Sequence, residues 1–275
     1  MPKRKVTFLF SPNYASQLFQ ADLDVFQSAI GNVYIAGSFL QKPLPCGRCF
    51  YMYIKRQVVQ NMPIKSKVFF GVDLAGRIDE PTGIAAISDK RELLLVNTVK
   101  PDIAIKNYIE YHRPILVGID APLSLPSGRY GTYASRKCDR DLSILGIPTF
   151  ATSMLAQLTF RAISLRKHLE NKCETIEIYP QATKVRLGLL PNGKKNGVDS
   201  REFLQTKLSR FVKNVPRTSK VLFSDDELDA ILAAYTAYLH YHKLTEGIGD
   251  SQEGLIYIPT PDAHKQLAQL ESSCK

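Results

Sequence analysis

VFFGVDLAG (68–76) and ILVGIDAPL (115–123) are nearly the same phrase written twice. Each is a run of β-branched and aromatic residues, then a glycine, one apolar residue and an aspartate: Asp73 in the first, Asp120 in the second. Such runs read as interior strands of an α/β sheet, and the aspartates fall at their C-terminal ends, the edge where sites of these sheets collect. A carboxylate at the margin of a core is costly unless something compensates it. Either aspartate taken singly also suits the plainer task of capping a turn or pairing with a lysine or arginine. Gly71 and Gly118, two positions ahead of each, permit a close approach of backbone or ligand.

The neighbouring segments set the layout. KVFFGVDLA (67–75) is followed by TGIAAIS (82–88) and ELLLVNTV (92–99), with turn residues between the last two, which predicts antiparallel strands in a three-strand meander. PDIAIKNYIEYH (101–112) has Ile105, Tyr108, Ile109 and His112 at helical spacing, so ILVGIDA (115–121) returns as a strand parallel to one already present. Residues 136–171 are helical in character, ETIEIYP (174–180) is strand-like, 199–214 is an amphipathic helix, and SDDELDAILAAYTAYLHYH (224–242) is the clearest helix of the chain. The expected fold class is α/β, with a mixed central sheet, an antiparallel three-strand meander and flanking helices. That is the element order of the ribonuclease H-like fold.

At 275 residues, 44% of them hydrophobic, the chain suffices for one large domain or a domain with an appendage. The pattern changes at Met62, so the expected organisation is a poorly structured N-terminal appendage at 1–61, the core domain at 62–262 and a flexible tail at 263–275. No run of eighteen apolar residues marks a membrane span, and MPKRKVTFLFSPNY lacks the features of a secretory signal. Five scattered cysteines argue for a reducing, cytoplasmic setting. Cys46 and Cys49 form a CxxC without a second pair or a nearby histidine, which argues against zinc. The formal charge of +10 implies an affinity for polyanions, of which nucleic acid is the commonest. Half of that charge lies in residues 1–61.

The last long helix brings more carboxylates. Ser224, Asp225, Asp226 and Glu227 read as a capping box, and acidic residues at a helix start are ordinarily satisfied by the helix dipole. Asp229 lies beyond the first turn, among Leu228, Ala230, Ile231 and Leu232, in a helix apolar nearly all round and therefore buried. Asp226 and Asp229, three apart, point the same way. Carboxylates converging on one sheet edge repel unless a cation sits among them, and oxygen ligands without His or Cys select Mg²⁺ or Mn²⁺. Asp73, Asp120 and Asp229 are the expected metal ligands, with Asp226 or Glu177 supporting; a solvent-facing strand residue is the other reading of Glu177. Such a site performs phosphodiester hydrolysis. In SGRYGTYASRKCDRDL, Arg129, Arg136, Lys137 and Arg140 are placed to contact phosphates and Tyr130 and Tyr133 to stack on bases; the alternative is an ordinary charged helix start.

FFGVDLAGR…PTGIA, VGIDAPLSLP, RKCDRDLSILGI, IEIYPQATK and DDELDAILAAYTA…GLIYIP, in order over about 67–259, resemble domain-of-unknown-function family 429, described as predicted nucleases with a ribonuclease H-like fold. The DELDA segment is also similar to the last-helix motif of RuvC-type resolvases, which implies roles for Asp226 and Asp229. The expectation is a metal-dependent nuclease acting on nucleic acid. Two alternatives stand beside it: a nucleotide phosphotransferase of the actin and sugar-kinase type, and a non-catalytic nucleic-acid binder.

Overall fold

The computed structural model describes residues 66–191, 197–217 and 221–273. The chain divides into two units, 1–63 and 64–275, and the described residues all belong to the second. The expectations for residues 1–61, Cys46 and Cys49 included, lie outside the described residues.

Seven strands form one mixed sheet. Strands β1 (Val68–Asp73), β2 (Thr82–Ser88) and β3 (Leu93–Val99) pair antiparallel in succession. Helix α1 (Asp102–His112) crosses back, and β4 (Leu116–Asp120) then lies parallel to β1. Helix α2 (Lys137–Ile144), a 3₁₀ turn at Thr152–Leu155 and helix α3 (Ala156–Leu169) lead to β5 (Glu174–Ile178), parallel to β4. Helices α4 (Pro180–Arg186), α5 (Gly197–Leu208) and α6 (Asp225–Tyr241) precede a hairpin of β6 (Thr245–Asp250) and β7 (Gly254–Pro259), in which β7 runs parallel to β5. Helix α7 (Ala263–Ser273) comes last.

The strand order is β3-β2-β1-β4-β5-β7-β6. The antiparallel trio is thus one flank of a larger sheet and not a simple three-strand meander. The 263–275 tail, expected to be flexible, is helical over 263–273, because Ala263 and Leu267 have an apolar surface to bury against. Among the described residues no helix is long and apolar enough to cross a membrane.

Side-chain alternation along the strands gives the sheet two apolar faces. Phe70, Val72, Ile84, Val117 and Ile119 face Ile105 and Ile109 of α1 and Ala162, Leu165 and Leu169 of α3. Phe69, Ala85, Leu116, Ile176 and Ile178 belong to the other face, which α6 covers. Helix α6 begins at a capping box, with Ser224 Oγ accepting from Glu227 N at 3.2 Å and Glu227 Oε2 accepting from Ser224 N at 2.8 Å. From Leu228 to Leu239 every residue except Asp229 is buried.

The sheet meets α6 through glycine. A Cβ built on Gly71 would stand 2.0 Å from the carbonyl oxygen of Ala230, one on Gly83 2.1 Å from that of Asp226, and one on Gly118 2.7 Å from that of Ala233. The alanines on the facing side of α6 complete a contact of backbone against backbone. Gly71→Ala is therefore expected to lower stability in chemical denaturation by about 1–3 kcal/mol or more, as overpacking does. Gly76→Ala, with nothing within 4 Å of its Cβ, should stay within about 0.5 kcal/mol of the wild type. Equal effects at the two positions would show that α6 is not seated this closely.

Candidate active site

Asp73 and Asp120 are partners in the parallel register of β1 and β4, as are Gly71 and Gly118. Their carboxylates leave the same sheet edge on the same face, from strands about 4.8 Å apart. That is the face α6 covers, and the glycine contacts bring the first turns of α6 to this edge. Asp229 is delivered there and Asp226 flanks it. The grouping shows in the acidities: burial first, then the charges of Asp229 and Asp226, push the Asp73 carboxyl up to about 8. Burial and the charges of Asp73 and Asp229 hold Asp120 well above the usual carboxylate range. Asp226 is raised by burial and by Asp225 and Glu227. Asp225 itself points outward, its side chain 79% exposed.

Lys184 of α4 supplies a positive charge among them. Its Nζ donates to Asp229 Oδ2 at 2.9 Å and stands 2.6 Å from Oδ1, which nevertheless has no hydrogen-bond partner. Burial still raises Asp229, against the pull of Lys184. Among the described residues no hydrogen bond reaches the Asp73 or Asp120 carboxylate. A cleft of about 410 Å³ opens here, lined by Asp120, Asp229, Lys184, Thr149, Phe150 and Tyr179 among others. Tyr179 Oη donates to the Pro148 carbonyl at 2.7 Å and ties the cleft wall together, while Phe150 leaves 64% of its surface exposed. Lys184 and Tyr179 have no signature in the sequence beyond IEIYPQATK itself, where a lysine comes after a strand that ends at the same sheet edge, and Phe150 has none.

Glu177 does not join this group. Its register partner in β4 is Ile119, not Asp120, and that one-residue offset turns its side chain to the opposite face of the sheet. There it meets Arg136, the second departure from expectation: its surface is 0% exposed, and it cannot lie against a phosphate. Arg136 Nη1 and Nη2 donate to Glu177 Oε2 and Oε1 at 2.7 and 2.6 Å, a bidentate pair. On its other side Nη2 donates to Asp139 Oδ1 at 2.9 Å, and Thr152 Oγ1 donates to Asp139 Oδ2 at 2.6 Å. Leu123 N donates to Glu177 Oε2 at 2.8 Å. This buried network fastens the loop after Asp120 to β5 and to α2. Burial raises Glu177 against Arg136; at Asp139, burial is overcome by the hydrogen bonds and charge of Arg136 and by Thr152, and the carboxyl is lowered.

The other three basic candidates stay near the surface. Arg129 donates to Gln252, Lys137 pairs with Asp141, and Arg140 Nη1 donates to the Tyr130 carbonyl at 3.1 Å with its guanidinium 5.5 Å from that ring. None of them lines the carboxylate cleft.

The donor set, oxygen only and short of hydrogen bonds, has the chemistry of a Mg²⁺ or Mn²⁺ site. Among the described residues no three His, Cys, Asp or Glu side chains stand close enough around one point to hold the ion. Comparison with protein-family models, curated proteins and solved structures finds no match to this chain.

The charges dictate two outcomes. Asp73 is raised from 3.8 to about 8, so the native state holds a proton the unfolded chain has lost; the stabilisation is complete below about pH 4 and disappears as pH rises to 8. In EDTA, Asp73→Asn should melt with the wild type near pH 4 and exceed it at pH 8 by about 1–3 kcal/mol. A wild type that is the more stable at pH 8 would make Asp73 architectural. Arg136→Met leaves two carboxylates buried without their cation and should cost about 3–5 kcal/mol in urea denaturation, whereas Arg129→Met should cost under about 0.5 kcal/mol.

Proposed function

We propose that this chain is a metal-dependent nuclease of ribonuclease H-like architecture, hydrolysing phosphodiester bonds of nucleic acid with Asp73, Asp120 and Asp229 as ligands of Mg²⁺ or Mn²⁺. The observation that carries the reading is that Asp73 and Asp120 are register partners at one sheet edge and that the charge of Asp229, on the helix over that face, helps to raise both, beside an open cleft lined by Asp120 and Asp229. Supporting the architecture are the order β3-β2-β1-β4-β5, with β1, β4 and β5 parallel and β2 and β3 antiparallel, and the position of α6 over their centre. The resemblance to domain-of-unknown-function family 429 points the same way.

A divalent ion held by Asp73, Asp120 and Asp229 would supply the activation of water and the stabilisation of the leaving oxygen. The chain's own residues do the rest. Asp73 and Asp120 offer carboxylates free of protein hydrogen bonds; Asp229 is held in place by Lys184; Asp226 adds negative charge at the solvent side. Phe150 gives the cleft an exposed aromatic surface against which a base can stack. Arg129, Lys137 and Arg140 provide positive charge on the α2 side. The phosphotransferase alternative lacks support in the β1–β2 turn, Leu74–Pro81, which has Gly76 as its one glycine and so no glycine-rich cradle.

Labelled single-stranded, duplex and hybrid nucleic acids incubated with the full chain should be cut in Mg²⁺ or Mn²⁺ and remain whole in EDTA. Asp73→Asn and Asp120→Asn should each reduce cutting by about a hundredfold or more, since even residues behind a metal ligand are worth about 10–100-fold. Undiminished cleavage in excess EDTA, or turnover of ATP without cleavage, would overturn the assignment.

A further inference from the structure

A large apolar side chain left in water is ordinary when it stands alone on an open surface, but Phe150 lines a cleft. It belongs to none of the three apolar clusters of the core, and 64% of its surface is exposed. The loop that carries it is fastened on both sides. Ile147 before it and Thr152 after it are buried. Thr149 Oγ1 donates to the Asp139 carbonyl at 2.9 Å and lies 3.1 Å from Ser143 Oγ, and the Pro148 carbonyl accepts from Tyr179 Oη at 2.7 Å. Neighbours that are themselves anchored therefore present the ring to the cleft.

The cleft sets the size of what can lie against that ring. It encloses about 410 Å³, in the lower part of the roughly 300–1,000 Å³ range of small-ligand pockets. Such a space receives one nucleotide and excludes a paired duplex. A base inside a duplex has both faces covered by its neighbours, so a protein ring stacks only on a base that is unpaired or turned out of the helix. Gln181, at the start of α4, lines the same cleft, and its amide pairs with no protein group among the described residues, which leaves it to meet the edge of that base. Helix α2, to which the Phe150 loop is tied through Asp139 and Ser143, carries Arg140 for a neighbouring phosphate.

We propose that the cleft takes one unpaired nucleotide, its base stacked on Phe150 and its edge toward Gln181, so that the substrate class is single-stranded or locally unpaired nucleic acid. This rests on the proposed function in taking the cleft as the place where nucleic acid enters. It does not depend on a bound metal ion, because the ring, the amide and the walls of the cleft are all supplied by the chain.

The test is fluorescence anisotropy of the full chain in EDTA, where nothing is cut, with a short labelled single strand, as DNA and as RNA, and the blunt duplex of the same sequence. The wild type should bind a single strand at least about tenfold more tightly than the duplex. Phe150→Ala should weaken single-strand binding by about tenfold, the effect of losing one stacked base, and leave duplex binding unchanged. Phe150→Trp should keep the wild-type affinity, and Gln181→Ala should lose about two- to tenfold. Circular dichroism checks that each variant is folded. Equal affinity for the two forms, or a Phe150→Ala loss that is absent or shared by the duplex, would overturn the proposal; cleavage of duplex in Mn²⁺ would then leave the nuclease reading standing. A Phe150-dependent preference for the single strand with no cleavage in Mg²⁺ or Mn²⁺ sustains the proposal and removes the nuclease activity. Binding of neither form removes both.

Discussion

Helix α6 rests on the sheet backbone against backbone, and the rest of the molecule is arranged around that contact. Three strands contribute a glycine where the helix crosses, and the helix contributes alanines. Without side chains between them the two surfaces approach more closely than a leucine or valine would allow, and the helix loses freedom to slide or roll. The consequence reaches the sheet edge. A carboxylate at the start of α6 is useful to Asp73 and Asp120 only if it stands at a fixed distance from them, and that distance is set by the packing further along the helix. The capping box ensures that the helix begins where the edge requires it, leaving Asp225 outside and Asp229 inside.

The sheet register separates acidic residues that the sequence makes look alike. Asp73 and Asp120 share a row and therefore a face; Glu177 sits beside Ile119 and faces the other way. On one face the carboxylates are gathered with a single lysine and their protons are held unusually tightly. On the other, the carboxylates flank an arginine that satisfies both, with Thr152 and Leu123 taking remaining positions. The first set is under-compensated and open to a cleft; the second is compensated and closed. This contrast separates an open carboxylate group from a closed brace, although both are built of the same residue types within a few residues of one another.

Much of the layout is legible in the chain itself. Interior strands announce themselves by their apolar runs, and α6 by its capping box and its all-round apolarity. The glycines of the two matching phrases are visible as places of close approach, but not as places where a helix rather than a ligand approaches. Strands β6 and β7 are harder to see because TEGIGD and GLIYIP are short, glycine-bearing and close to a turn. The Arg136 segment reads as a charged surface because sequence carries no record of which arginine is turned inward.

Local patterning was enough to establish an α/β protein with acidic residues at the ends of interior strands and one inside a buried helix, because periodicity and apolar content govern secondary structure and burial segment by segment. It also drew attention to Asp73, Asp120 and Asp229 one by one, since a charge in an apolar segment is costly wherever the segment goes. Which charges meet was left to the folded chain. Lys184 reaches Asp229 across 45 residues and Arg136 reaches Glu177 across 41, and such pairings depend on strand register and helix seating, neither of which any one segment encodes.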